Sequence, residues 1–301
     1  MTADRRRRLI IVGLALIVLA IGTLWGVGYA LSRPTLARVG AAPADLEAET
    51  VRIPRTGGAP IVGWLARGAP GQGAVLLLHG VHANRSVMVA RARFLRRAGY
   101  SVLLVDLPAH GESGGDRITF GARESEGARA ALAYLRRALP AERVGAIGAS
   151  LGGASLLLGQ GELAANGADA VVLEAVYPTI EEAIADRLRI WLGPPGPSLA
   201  PLLTWQLRPQ TGVAAEELRP IDRVGQVHVP LLFVVGEADQ HTTLAESRRL
   251  FAAAPEPKAL WVVPHAPHGD LHASDSAGYE RHVLAFFGQY LRTTKRLAGS
   301  R

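Results

Sequence analysis

The chain has 301 residues, of which 49% are hydrophobic, a net charge of +7 and no cysteine. That length and apolar fraction suffice for a substantial buried core, in one large α/β domain or two small ones, and the missing thiol excludes disulfides, thiolate zinc sites and cysteine nucleophiles. Arg5 to Arg8, less Asp4, supply three of the net positive charges; the other arginines, among them Arg91, Arg93, Arg96, Arg97, Arg136, Arg137, Arg248 and Arg249, are scattered over expected helices with acids nearby, the pattern of a solvated face rather than of a nucleic-acid interface.

After the four arginines, Leu9 to Leu31 runs 23 residues without a charge. At about 1.5 Å per helical residue that spans the roughly 30 Å hydrocarbon core of a bilayer. A secretory signal has a shorter apolar run and a small-residue cleavage site, for which Tyr29-Ala30-Leu31-Ser32 is a poor match. The expectation is therefore an uncleaved anchor. Residues 1–8 form a cytoplasmic basic tail, and the chain from residue 32 lies on the extracytoplasmic side of the cell membrane. Trp25 and Tyr29 suit the far interface. High Ala, Arg and Gly with two lysines fits a GC-rich bacterial source.

Residues 32–49, with Pro34 and Pro43, read as a tether, and a single domain is expected over 50–296. Thr50 to Ile53 and Ile61 to Ala66 look like an antiparallel pair joined by a turn at Thr56-Gly57-Gly58. From Ala74 an apolar strand, a turn and a helix repeat. Strands are expected at Ala74 to Leu78, Ser101 to Asp106, Val144 to Ile147, Ala170 to Val176, Leu231 to Gly236 and Ala259 to Val263. Unbroken Val/Leu/Ile runs indicate strands covered on both faces, hence a mainly parallel, doubly wound α/β sheet with ligands at the carboxyl ends of its strands. Residues 179–228 interrupt the alternation. A helix from Ile180 to Trp191, a Gly/Pro run and an apolar patch from Leu199 to Leu207 read as a lid insertion over that edge.

The chemistry centres on Val144 to Gly153, where a strand runs into Gly148-x-Ser150-x-Gly152 and a helix leaves from Leu151 to Leu158. A strand that turns directly into a helix crowds the positions flanking the bend, so glycines there let a serine take a strained conformation with its hydroxyl held out. The N–H of Leu151 would then face a developing oxyanion. Strand ends also carry His79, Asp106, Glu174 and Asp239, and His268 follows the last strand. His265, His268, His272 and Asp270 are close in sequence, but Pro267 and Gly269 argue for a loop, and no metal or other cofactor is expected.

The elbow, an Asp after a later strand and a His after the last, in the order Ser150, Asp239, His268, resemble the α/β-hydrolase fold, closest to single-domain serine hydrolases related to dienelactone hydrolase and to prolyl-oligopeptidase catalytic domains. His79-Gly80 is similar to that family's oxyanion loop. Asp106 to Ser113 resembles its Asp-x-x-Gly-x-Gly-x-Ser loop with Ala109 and His110 in the first glycine region. Val235-Gly236-Glu237-Ala238-Asp239 resembles the Gly-x-x-Asp turn, and Pro264 to Asp270 the Gly-x-x-His loop without its glycine. The resemblance implies Ser150 as nucleophile, His268 as base, Asp239 as its orienting acid, and the N–H groups of Leu151 and Val81 as oxyanion donors. Glu174 is the alternative acid and His265 the alternative base. His79, Asp106 and Asn84 are expected to hold their own loops, Asn84 as a helix cap. The function implied is hydrolysis of an ester or similar acyl bond of a hydrophobic small molecule at the membrane. A thioesterase, a serine peptidase and a silent binding or scaffold domain on the same fold are the alternatives.

Overall fold

The computed structural model describes residues 3–159 and 167–292. The last expected domain residues, 293–296, lie outside that range. Helix α1 (Ala3–Ser32) is long and apolar enough to cross a membrane, with a mean hydropathy of 2.6 and no buried residue in its most apolar window. Two short strands, β1 (Thr35–Leu36) and later β6 (His110–Gly111), form a separate parallel pair. Part of the segment read as a tether is docked on the domain. Glu112 Oε1 accepts from the N–H groups of Val39 and Gly40 at 3.2 Å, and the Gly40 carbonyl accepts from Trp64 Nε1 and Arg85 Nη2.

The main sheet is built from β2 (Glu49–Ile53), β3 (Ile61–Ala66), β4 (Ala74–Leu78), β5 (Ser101–Val105), β7 (Val144–Ala149), β8 (Ala170–Glu174), β9 (Leu231–Gly236) and β10 (Lys258–Val263). In space these eight strands run β10-β9-β8-β7-β4-β5-β3-β2. Only the β2–β3 and β3–β5 pairings are antiparallel; the first is the pair expected from the sequence. The central strands are buried along their whole length because helices cover both faces. On one face lie α3 (Ala122–Ala138) and α4 (Leu151–Leu158). The other carries α2 (Val89–Arg97) and the last helix, with Phe94, Tyr279, Val283 and Phe287 in its core.

Between β8 and β9 the insertion folds as α5 (Ile180–Leu192), α6 (Ala200–Trp205), α7 (Leu207–Thr211) and α8 (Ile221–Val224). Thr179 caps α5 by accepting from the Glu182 N–H, and Gly193 ends it with a positive φ of 73°. Helices α9 (Leu244–Ala253), α10 (Leu271–Ser274) and α11 (Ser276–Tyr290) complete the fold. Leu24 of α1 packs against Leu188, Ala200 and Leu203 of the insertion, so the end of α1 and the insertion form one apolar body.

Candidate active site

Ser150 follows β7 directly, and its backbone stands at φ 48°, ψ −108°, a conformation that costs a β-carbon-bearing residue free energy and is kept only where neighbours enforce it. They do so on both sides. The Ser150 N–H donates to the Glu174 carbonyl of β8 at 2.8 Å, and the Ser150 carbonyl accepts from Ala154 in the first turn of α4. A β-carbon on Gly148 would lie 2.5 Å from the Gly153 nitrogen, and one on Gly152 would lie 2.6 Å from the Leu78 carbonyl of β4. The glycines therefore answer two different close approaches, one within the elbow and one to the adjacent strand.

The loop after β4 runs against this turn: a β-carbon on Gly80 would sit 3.8 Å from that of Ser150. Two histidines hold the loop. Leu107 N–H donates to His79 Nε2 at 3.0 Å, so His79 Nδ1 carries the proton that it shares with the Gly80 carbonyl at 2.7 Å. Burial, and then the neighbouring His110, lower the His79 pKa to about 3, which keeps the ring neutral. His110 is held likewise, with Nδ1 on the Pro108 carbonyl at 2.8 Å and Nε2 accepting from the His82 N–H at 3.2 Å. Asp106 secures the turn beneath, accepting from the N–H groups of Arg85 and Glu112 and from the Arg85 guanidinium. Asn84 caps the following 3-10 turn through Ser86 N.

Asp239 stands in the turn after β9 with its carboxylate fully buried. Oδ1 accepts from the N–H groups of His241 and Thr242 at 2.8 and 2.9 Å, and Oδ2 lies 2.7 Å from His268 Nδ1. The turn is fastened to the His268 loop, for Ala238 N–H donates to the Ala266 carbonyl and a β-carbon on Gly236 would come within 2.4 Å of that same oxygen. His265, the alternative base, points away: its side chain is 95% exposed and its nearest acid is Glu237. It occupies the position of the missing loop glycine and takes a left-handed conformation, φ 57°. His272 stacks on Phe94 instead, so the histidine cluster of the sequence is dispersed in space.

Glu174, the alternative acid, is committed elsewhere. Its carboxylate receives Arg91 Nε at 2.9 Å and Nη2 at 2.6 Å together with the Tyr279 hydroxyl, all buried. Arg91 therefore does not belong to a solvated face; its third nitrogen reaches Asp270 at 3.0 Å and ties the His268 loop to the sheet. The sequence held a signal for this, since Arg91 lies three and four residues before the buried Phe94 and Leu95, on the apolar side of α2. Also unanticipated is Tyr177, whose hydroxyl donates to the Phe120 carbonyl beside Ser150's cavity.

That cavity, about 200 Å³, is lined by Ser150, Leu151 and Val81, by Ile184, Arg187, Leu188 and Trp191 of α5, by Leu203 and Gln206, and by Gly28, Leu31 and Ser32 of α1. Ser150, Leu151 and Val81 thus line one cavity, while Asp239 and His268 share a hydrogen bond in the loops after the strands two and three places along the same sheet edge. Among the described residues no group of three His, Asp or Glu side chains is arranged to hold a metal ion.

A family profile described as "Alpha/beta hydrolase family" matches residues 75–282. An uncharacterized Bacillus subtilis protein, YqkD, is 24% identical over 243 residues, which cover 80% of each chain. An uncharacterized Mycobacterium tuberculosis protein is 30% identical over 199 residues, 65% of this chain and 63% of that one. Among solved structures, an esterase from Pyrococcus furiosus superposes with a TM-score of 0.71 at 22% identity, over 86% of this chain and 100% of that chain. An esterase from Exiguobacterium antarcticum superposes at 0.59 and 15% identity, over 80% and 100%.

Proposed function

The chain belongs to the alpha/beta hydrolase family, and on that footing we propose that it is a serine hydrolase cleaving an ester or similar acyl bond through an acyl-enzyme. The observation that carries the reading is the 2.7 Å contact of His268 Nδ1 with the buried Asp239 carboxylate, at the same sheet edge as a strained, cavity-lining Ser150.

A serine hydroxyl is protonated at neutral pH and needs a base to attack a carbonyl. With its Nδ1 proton donated to Asp239, His268 presents the Nε2 lone pair, takes the Ser150 proton and becomes an imidazolium that Asp239 stabilises. The tetrahedral oxyanion is bound by the N–H groups of Leu151 and Val81, each such donor contributing about 3 kcal/mol to the transition state. His268 then protonates the leaving alcohol, and a water attacking the acyl-enzyme repeats the sequence. No metal or cofactor is called on.

Residues 179–228 serve as the lid of this site, and the aliphatic and aromatic lining they supply favours an acyl chain. Thioester and amide substrates use the same machinery; the apolar lining speaks for an ester of a hydrophobic acid. Helix α1 is the membrane anchor, with Arg5 to Arg8 on the cytoplasmic side and the hydrolase domain outside. The test is fluorophosphonate labelling of the full chain in detergent, read by intact mass, beside Ser150→Ala and His268→Ala. A single adduct lost in both variants is expected. Labelling that persists without Ser150 would refute the assignment.

A further inference from the structure

Among the described residues outside α1, eight large hydrophobic side chains stand exposed, and six of them fall between Ile190 and Trp205. They are Ile190, Trp191, Leu192, Leu199, Leu202 and Trp205, the last 72% exposed. From Ile190 to Leu207 the chain carries no charge, and arginines bound the run at Arg189 and Arg208. Single exposed apolar residues are ordinary on a protein surface; a concentration of this kind, with a basic border, marks a face that meets something apolar.

The neighbouring element identifies what that is. Trp205 meets Trp25 of α1 edge-on, with ring centroids 6.5 Å apart. Gln210 Nε2 donates to the Trp25 carbonyl at 3.1 Å, and Leu24 packs against Leu188, Ala200 and Leu203. Leu24 precedes Leu31 by seven residues, about 10 Å of helix. Counted from Leu9, a hydrocarbon core of about 30 Å is used up after some twenty residues, near Gly28. A crossing α1 therefore holds α6 and the end of α5 at the level where acyl chains meet headgroups. Two tryptophans and flanking arginines are the side chains that depth favours.

We propose that the face from Ile190 to Trp205 is seated in the interfacial layer of the phospholipid bilayer beside α1, and that the Ser150 cavity opens toward the lipid there. Trp191 belongs to both, being half exposed on that face and part of the cavity lining, and Gly28 and Leu31 of α1 line the same cavity beside it. The substrate class that follows is an acyl ester dissolved in the bilayer, reached without leaving it. The inference rests on the reading of α1 as a membrane span and of Ser150 as the nucleophile.

The experiment reconstitutes the full chain in phosphatidylcholine–phosphatidylglycerol vesicles, with and without bromine on the upper acyl chains as a tryptophan quencher. The emission of Trp205 is taken as the difference from Trp205→Phe, and that of Trp25 as the difference from Trp25→Phe. Loss of both emissions in brominated lipid is expected. Quenching of Trp25 with Trp205 emission unchanged would overturn the seating alone; no quenching of either would remove the membrane span and the seating together. In the same vesicles, Leu202→Ser combined with Trp205→Ser should slow hydrolysis of an embedded long-chain ester about tenfold and leave that of p-nitrophenyl acetate unchanged. Equal rates on the long-chain ester would overturn entry from the lipid. Quenching requires no turnover, so quenched tryptophans on a chain that hydrolyses neither ester would retract the hydrolase reading and the substrate class while supporting the seating.

Discussion

Glu174 and Asp239 are both buried acids at the carboxyl ends of neighbouring strands, and replacing each by its amide should separate structure from chemistry. In Glu174→Gln the Tyr279 hydroxyl keeps an oxygen to donate to, but an amide NH2 comes to face Arg91 Nη2, which now meets Glu174 Oε2 at 2.6 Å. Arg91 is left buried with Asp270 as its remaining anion, and that carboxylate is 46% exposed and so screened by water. Removing one partner of a buried pair costs about 3 to 5 kcal/mol, and the surviving Asp270 contact puts this case near the lower end, about 3 kcal/mol. For a domain of this size that lowers the unfolding midpoint by roughly 6 to 12 °C. Turnover per folded molecule, normalised by fluorophosphonate titration well below the midpoint, should stay within about threefold, since Glu174 touches Ser150 only through its backbone carbonyl. The reverse outcome, an unshifted midpoint with turnover reduced by about a thousandfold or more, would identify Glu174 as the catalytic acid and refute the assignment of Asp239.

Asp239→Asn should lower kcat about ten-thousandfold with a small change in the unfolding midpoint, because an amide facing Nδ1 selects the wrong His268 tautomer; a loss under about tenfold on p-nitrophenyl acetate would contradict the role. Glu246 is held up to about 7 from its ordinary 4.5 by burial and by the neighbouring Asp186 carboxylate. A raised carboxyl pKa means the folded state binds more protons, so the contribution of Glu246 to stability is fully present below about pH 4.5 and is lost as pH rises through about 7. In Glu246→Gln thermal unfolding in detergent should lose that decline between about pH 5 and 8, and parallel slopes in the two proteins would refute it. Gly152→Ala places a methyl 2.6 Å from a β4 carbonyl that cannot retreat without breaking the sheet, so it should destabilise by about 1 to 3 kcal/mol in chemical denaturation, whereas a neutral result would mean the elbow is looser than described.

The strands were legible because burial on both faces leaves unbroken aliphatic runs. Ala74 to Leu78 and Leu231 to Gly236 end where the apolar run ends. The elbow was legible because a tight turn must be written in glycine. The two departures from the family's glycine pattern have one physical cause. Ala109 at φ 62° and His265 at φ 57° both adopt the left-handed backbone that glycine takes without penalty, so the turns survive and only the letter changes. Reading His265 as a rival base followed from treating that position as a side chain when the loop uses it as a hinge of the backbone. The bidentate hold of Arg91 on Glu174 was missed because a charged residue on a helix is solvated far more often than buried, and its partner lies 83 residues away.

Least legible was the docking of α1 onto the insertion. Hydropathy marks Leu9 to Leu31 as long and apolar enough to cross a membrane but says nothing of which side chains keep a protein neighbour. Leu24, Gly28 and Leu31 recur every three or four residues, with Trp25 beside Leu24, the interval that puts side chains on one face of a helix, yet in a helix apolar on every side this face carries no contrast. The contrast sits on the partner. The insertion keeps Leu203 and Leu188 buried while leaving Leu202, Trp205 and Trp191 exposed, although all five are apolar. A surface that water alone surrounded would gain from polar residues at the exposed three. Their persistence beside α1 is the physical reason for treating α1, insertion and cavity as one packed unit.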